Sequence, residues 1–401
     1  MSFEEKLAEI GKYDSRRLEG AWAMPSRETD VKIALSNAVD CELTVTARLT
    51  RKPHVTSEPQ TFTLAPHETR VLDLRRDFPG GNQSINSEAI ALSLEHNGTK
   101  ESLLARAFIS DSARGYSNLA QFSNPLTGKT EKYHGAGLHL ETIDGERLKP
   151  VVVVRNTATT DANLTGRVPY TRADGTTETI VLPETRLRPN EIGLLDMREV
   201  VRRSEREQIK TAGLEIEYDT APGSVIIAVH SESASRNQVF RVPMWDPLGQ
   251  RTATGGYPWQ IEGTSTTKAY LKNITDRPQK YVAFFNWENG GMYMIGEKTL
   301  EAHQTIEIDV KDLRDRQVPD FKERTIPLSL SRGQIQWALN QEDEAAANGD
   351  TLTMLAVLGR SEQIDLAKGI SSNYACQNCC LGNYRGSEIS PIRRKSKLAE
   401  Q

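Results

Sequence analysis

The most reactive-looking stretch of this chain is Cys376-Gln-Asn-Cys379-Cys380, with Cys41 far upstream as the fourth cysteine. A C-x-x-C pair chelates a soft metal or closes a redox-active disulfide. A tetrahedral zinc site needs four ligands, and here Cys41 or a distant histidine would have to complete it, because no second C-x-x-C or H-x-x-x-H follows. Three readings of Cys41, Cys376, Cys379 and Cys380 stand side by side: disulfides in an oxidising compartment, idle thiols, or a metal site. Spacing alone does not give the connectivity.

The other candidates are aromatic. Tyr257, Trp259 and Trp287 would bind a polysaccharide if their rings formed an exposed platform on which sugar rings stack. Packing at a domain boundary competes with that reading, since Trp245 and Trp259 flank Gly255-Gly256. His134 and His139 are five residues apart and share neither a helix face nor a strand face, so metal binding is not expected of them. The acidic stretch Glu342-Asp-Glu344 with Asp350 lacks the spaced carboxylates of a calcium loop and reads as an exposed loop. No nucleophile elbow, Walker loop or dinucleotide fingerprint appears, and no catalytic residue, metal or cofactor is expected.

The elements that would carry these residues are set by a pattern that occurs three times. Val31-Lys-Ile-Ala-Leu-Ser-Asn37 is followed by Leu64-Ala-Pro66 and Asp73; Val151-Val-Val-Val-Arg-Asn156 by Leu187-Arg-Pro189 and Asp196; Ala269-Tyr-Leu-Lys-Asn273 by Leu300-Glu-Ala302 and Asp309. The asparagines lie 119 and 117 residues apart, and the aspartate always comes seven residues after the proline or alanine. Self-similarity at a fixed period is the signature of a repeat architecture. Asn37, Asn156 and Asn273 end strands, where the side chain can bond the backbone of a turn. Asp73, Asp196 and Asp309 read as helix N-caps, Asp196 with Glu199 as its capping-box partner.

Each copy consists of short runs with period-two alternation, separated by turn clusters such as Gly80-Gly-Asn82 and Asn97-Gly98. That alternation marks antiparallel sheets with one face in a core. About seven strands in roughly 110 residues predicts a two-sheet sandwich. The fold class expected is all-β: three tandem antiparallel β-sandwich domains. The divisions are an extension over 1–30, sandwiches over 31–128, 129–250 and 251–380, and a disordered basic tail over 381–401. In the third copy Ile326-Pro-Leu-Ser-Leu330 and Leu352–Leu358 are expected as strands, with an insertion around 332–351 between them. A short helix is expected near the N-terminus, where Phe3, Leu7 and Ile10 fall at helical spacing, and another over Asp196–Ile209.

The strand ending in Asn and the Leu-x-Pro segment leading to Asp resemble the immunoglobulin-like and fibronectin-III-like sandwich domains strung along exported bacterial proteins. Arg16-Arg-Leu-Glu-Gly-Ala-Trp22, Gly255-Gly-Tyr-Pro-Trp259 and Tyr374-Ala-Cys-Gln-Asn-Cys-Cys380 resemble a group of exported soil-bacterial proteins with no assigned activity. The likeness spans most of residues 16–380. It implies the fold and a secreted or cell-surface location, and no activity.

Composition bounds the rest. With 50 basic against 54 acidic side chains in 401 residues, the near-neutral balance argues against an extended basic surface and against nucleic acid as a partner. No apolar run reaches the ~18 residues of a membrane-spanning helix. The expectation is a noncatalytic surface or secreted protein whose partner is another protein or a second copy of itself. The alternative is a carbohydrate-binding accessory module.

Overall fold

The computed structural model describes residues 16–24, 26, 28–52, 55–78, 88–99, 101–112, 116–143, 145–172, 174–233, 238–247, 254–339, 357–365 and 370–374. The expected N-terminal helix, the basic tail, the stretch 340–356 and Cys376, Cys379 and Cys380 lie outside the described residues. Strands dominate, and the pairings between them are antiparallel. No helix among the described residues is long and apolar enough to cross a membrane.

The chain divides into two compact units: residues 1–168, 179–210 and 214–249 form the first, and 169–178, 211–213 and 250–401 the second. The first unit opens with β1 (Arg17–Ala23), β2 (Asp30–Asn37), β3 (Leu43–Arg51), β4 (Val55–Thr56), β5 (Gln60–Leu64) and β6 (Thr69–Asp73). A single helical turn, α1 (Leu74–Asp77), leads to β7 (Ala89–His96), β8 (Leu103–Asp111) and β9 (Tyr116–Gln121). Sheet I has the order β1-β7-β3-β4 with β5 on β3, and sheet II the order β6-β2-β8-β9. Alternation along β2 sends Val31, Ile33 and Leu35 inward, where they meet Trp22, Val45, Leu92 and Leu94 of sheet I in one core.

The chain continues through β10 (Lys132–His139), the ribbon β11 (Thr142–Ile143) and β12 (Glu146–Arg147), β13 (Lys149–Asn156), β14 (Ala162–Thr171), β15 (Thr177–Val181), β16 (Thr185–Leu187) and β17 (Ile192–Leu194). After helix α2 (Arg198–Glu207) come β18 (Thr211–Tyr218), β19 (Val225–Glu232), β20 (Val239–Val242) and β21 (Met244–Trp245). Sheet III has the order β15-β14-β18-β10-β21 with β16 on β14, and sheet IV the order β17-β13-β19-β20. The helix expected over 196–209 is present. Its N-cap is Met197 without a side-chain bond, and Glu199 turns to Arg202 and Arg203 instead of reaching back to Asp196.

In the second unit β22 (Thr254–Gln260), β23 (Ser265–Asn273), β24 (Gln279–Asn286), β25 (Met292–Leu300) and β26 (Thr305–Asp309) precede helix α3 (Val310–Asp315), β27 (Arg332–Leu339), β28 (Val357–Asp365) and β29 (Ile370–Tyr374). Sheet V has the order β22-β27-β24-β25 and sheet VI the order β26-β23-β28-β29. Trp259, Phe285 and Trp337 of sheet V share a core with Ala269, Leu271 and Val357 of sheet VI. One expectation is corrected here. Residues 326–330 are no strand, because Pro327 has no N–H to give a ladder and its carbonyl instead takes a turn bond from Leu330 N–H (3.0 Å). The strand is β27, whose Ile335 and Trp337 fall within the insertion expected around 332–351; it pairs with both β22 and β24.

One polar device fixes sheets II, IV and VI alike. Asn37 Oδ1 accepts from Val39 N–H (3.1 Å), while its Nδ2 donates to the carbonyls of Cys41 (2.7 Å), Leu64 (3.4 Å) and Ala65 (2.9 Å). Asn156 does the same with Ala158, Thr160, Leu187 and Arg188, and Asn273 with Thr275, Arg277, Leu300 and Glu301. Each asparagine is buried and joins the turn after its own strand to the Leu-x-Pro/Ala turn. In that second turn His67, Asn190 and His303 take φ near +58 to +59°, and the next side chain, Glu68, Glu191 or Gln304, accepts from a backbone N–H three residues back (2.7, 2.7 and 2.8 Å).

Candidate functional site

A cavity of about 490 Å³ opens at one end of sheet V, a volume within the range of small-ligand pockets. Its walls come from the last residues of β22 (Pro258, Trp259, Gln260), the end of β24 and the residues after it (Asn286, Trp287, Glu288), and the start of β27 (Arg332, Gly333, Gln334). Thr267 of β23 and Gln363 of β28 close it from sheet VI. Gly333 keeps the space open. A Cβ there would lie 2.2 Å from the Asn286 carbonyl oxygen and 2.7 Å from the Trp259 indole.

The polar groups are mostly amides. Gln260 N–H donates to Thr267 Oγ1 (2.9 Å), whose hydroxyl donates back to the Gln260 carbonyl (3.1 Å). Gln363 Nε2 reaches Gln260 Oε1 at 3.4 Å, and Gln260 Nε2 donates to Glu262 at 3.0 Å. At the rim Arg332 and Glu288 face each other at 3.3 Å, both exposed, so their attraction is largely screened. Glu288 is the one carboxylate among the lining residues. The set offers paired donors and acceptors beside indole, which is chemistry for holding a neutral polyhydroxylated ligand rather than for moving protons.

The aromatics considered for a sugar platform separate. Trp259 is 1% exposed and belongs to the core of sheets V and VI; its indole N–H finds no hydrogen-bond partner among the described residues. Tyr257, 3% exposed, is also in that core and presents no open ring face; its hydroxyl lies 3.5 Å from Trp337 Nε1. Trp287 is half-buried and reaches the cavity wall, with its backbone N–H bonded to the Gly291 carbonyl (3.2 Å). Trp245 is buried on β21.

Cys41 is exposed in the turn after β2, where its carbonyl serves Asn37. Asp73 and Asp309 cap α1 and α3 through paired backbone bonds at 2.9 and 3.2 Å and at 3.0 and 3.2 Å. Asp196 accepts one such bond, from Arg198 N–H (3.0 Å), and its carboxyl is held at about 2 by the Arg198 guanidinium and that N–H. His134, His139 and His230 sit singly beside Glu215, Glu141 and Glu232 at 3.7, 3.2 and 3.2 Å. Among the described residues no three His, Cys, Asp or Glu side chains are grouped to hold a metal.

Sequence reasoning missed the amide lining of the cavity and two buried ionic clusters. In the first unit Glu19 and Arg155, both almost fully buried, pair at 2.6 Å across sheets I and IV, with Ser93 Oγ donating to Glu19 (2.9 Å) and accepting from Arg155 Nη2 (2.9 Å). Burial pulls the Arg155 guanidinium below its ordinary value, and Glu19 opposes that pull. In the second unit Arg360 stacks on Tyr270 at 4.4 Å and pairs with Glu362 at 3.0 Å, while Lys268 meets Glu307 at 3.0 Å. The alternation Gln334-Ile-Gln-Trp-Ala338 was the available signal for β27, and with it for Gln334 at the cavity. Among known proteins, no family model matches this chain and no curated protein matches it.

Proposed function

We propose that this chain is a noncatalytic, secreted or cell-surface structural protein: three immunoglobulin-like β-sandwiches in tandem that present surfaces to protein partners, including copies of itself. The observation that carries the reading is the asparagine device, made with the same bonds in sheets II, IV and VI, each with a short edge strand, the asparagine strand and two further strands in the same order. The scaffold recurs while the outward residues differ from copy to copy, as in an array whose surfaces carry the work. The native intact mass from source cells, with thiol alkylation before and after reduction, tests it. A processed start and thiols protected until reduction are expected. An unprocessed Met1 with four reactive thiols overturns the location.

A second reading rests on the cavity beside Trp287: a polysaccharide-binding module in which the indole and the amides of Gln260, Asn286 and Gln334 hold a neutral sugar. Pull-down on insoluble polysaccharide, lost in Trp287→Ala, supports it. Equal retention of the variant, or no retention of the wild type, removes it.

A further inference from the structure

Sheets II and IV correspond position by position. With Asn37 set on Asn156, Ala34 falls on Val153, Val71 on Leu194, Leu104 on Ile226 and Arg106 on Ala228. In sheet IV these outward residues are covered. Val153, Ile226, Leu194 and Ala228 pack with Ala21, Ala89 and Ala91 of sheet I, where small side chains let the two sheets approach closely. In sheet II the counterparts lie open: Leu104 is 57%, Val71 56% and the neighbouring Phe108 49% exposed. Large apolar side chains grouped on one exposed sheet face mark an interaction surface.

The other half of such a contact is on the second unit. The same registers place Ala91 on Gln334, Ala89 on Arg332 and Ala21 on Pro258 of sheet V, and all three of those residues are exposed. We propose that the outward face of sheet II in one chain docks on the outward face of sheet V in a second copy, repeating between chains the contact that joins sheets IV and I within one. The proposal rests on the self-association named above and specifies its surfaces. Correspondence with the sheet IV–sheet I contact, which the equivalent faces make within one chain, names the occupant. Because the two faces differ, the contact is heterologous and joins chains head to tail. The sheet V face includes the cavity wall, so a second chain and a bound polysaccharide exclude each other.

Sedimentation velocity on the full chain tests this with two exposed-face variants, Phe108→Glu and Gln334→Arg, each first shown to unfold at the wild-type denaturant midpoint. The wild type is expected to gain mass with concentration, and each variant alone to associate more than about tenfold more weakly. Mixed one to one, the variants recover a dimer and nothing longer, because one intact pair of faces remains. A wild type that stays monomeric overturns the proposal, as does association that survives either variant, or variants that fail to complement. The export test is separate: a processed but monomeric chain leaves the interaction-array reading standing without this contact, and an unprocessed chain that assembles does the reverse.

Discussion

The central strand of sheet IV reads Val151-Val-Val-Val154 and packs apolar residues on both faces, whereas its counterpart in sheet II reads Val31-Lys-Ile-Ala-Leu35 and buries one face. Both strands end in the same asparagine device and both lie second in a four-stranded sheet. The scaffold therefore does not determine whether the outward face is covered. The outward residues do, with β-branched side chains meeting the alanines of sheet I in one case and Lys32, Ala34 and Ser36 facing solvent in the other. Burying a charge with the apolar patch adds a constraint absent from sheet II, since Glu19 and Arg155 are tolerated inside only while they hold each other and Ser93.

The most severe way to break the covered face is Arg155→Ala, which leaves Glu19 buried near Ser93 with Arg17 as its remaining cationic partner among the described residues. Loss of about 3–5 kcal/mol in urea unfolding is expected, against less than about 0.5 kcal/mol for Arg106→Ala on sheet II. Equal effects would dissolve the contrast. Next in size is Asn156→Ala, which removes the side-chain bonds to three carbonyls, that of Leu187 buried; about 2 kcal/mol should be lost, and Asn37→Ala should cost nearly as much, because this device is common to both sheets. Ile226→Ala is expected to cost about 2 kcal/mol by denaturant midpoint and Leu104→Ala, with over half its surface already in water, well under 1.

Acid gives the smallest effect. Asp73 is lowered from its ordinary value chiefly by the Lys32 ammonium, and Asp196 to about 2 chiefly by the Arg198 guanidinium. Groups whose folded value is depressed stabilise fully above the unfolded value near 3.8, and that contribution fades as pH falls through the folded one. Thermal unfolding between pH 5 and pH 2, windows set by these shifts, should decline less steeply in Asp196→Asn; both carboxylates are exposed enough for the change to be modest.

Much of this was legible in the chain. The spacing of Asn37, Asn156 and Asn273 pointed to one turn device, and alternation in β2 to one buried face, whereas the second buried face of β13 was not read from its run of valines. The cavity was less legible because it is assembled from three strand ends and a glycine, with amide side chains that carry no spacing rule. Trp259 and Tyr257 sit in the same alternating stretch, and their types alone do not tell a core ring from an exposed one. Residues 326–330 misled because Leu and Ile there match a strand in kind, while Pro327 removes the backbone donor the ladder requires. Glu19 and Arg155 are 136 residues apart, and only tertiary packing makes them neighbours.

The shared face between sheets I and IV also has a mechanical meaning. Two sandwiches tied only by a peptide linker swing like beads, and tension along the chain opens them one after the other. Here a desolvated ion pair and an alanine-lined seam join sheets I and IV face to face, so a load on either sheet is expected to be shared by the other, and stiffness is what this seam adds to the first unit.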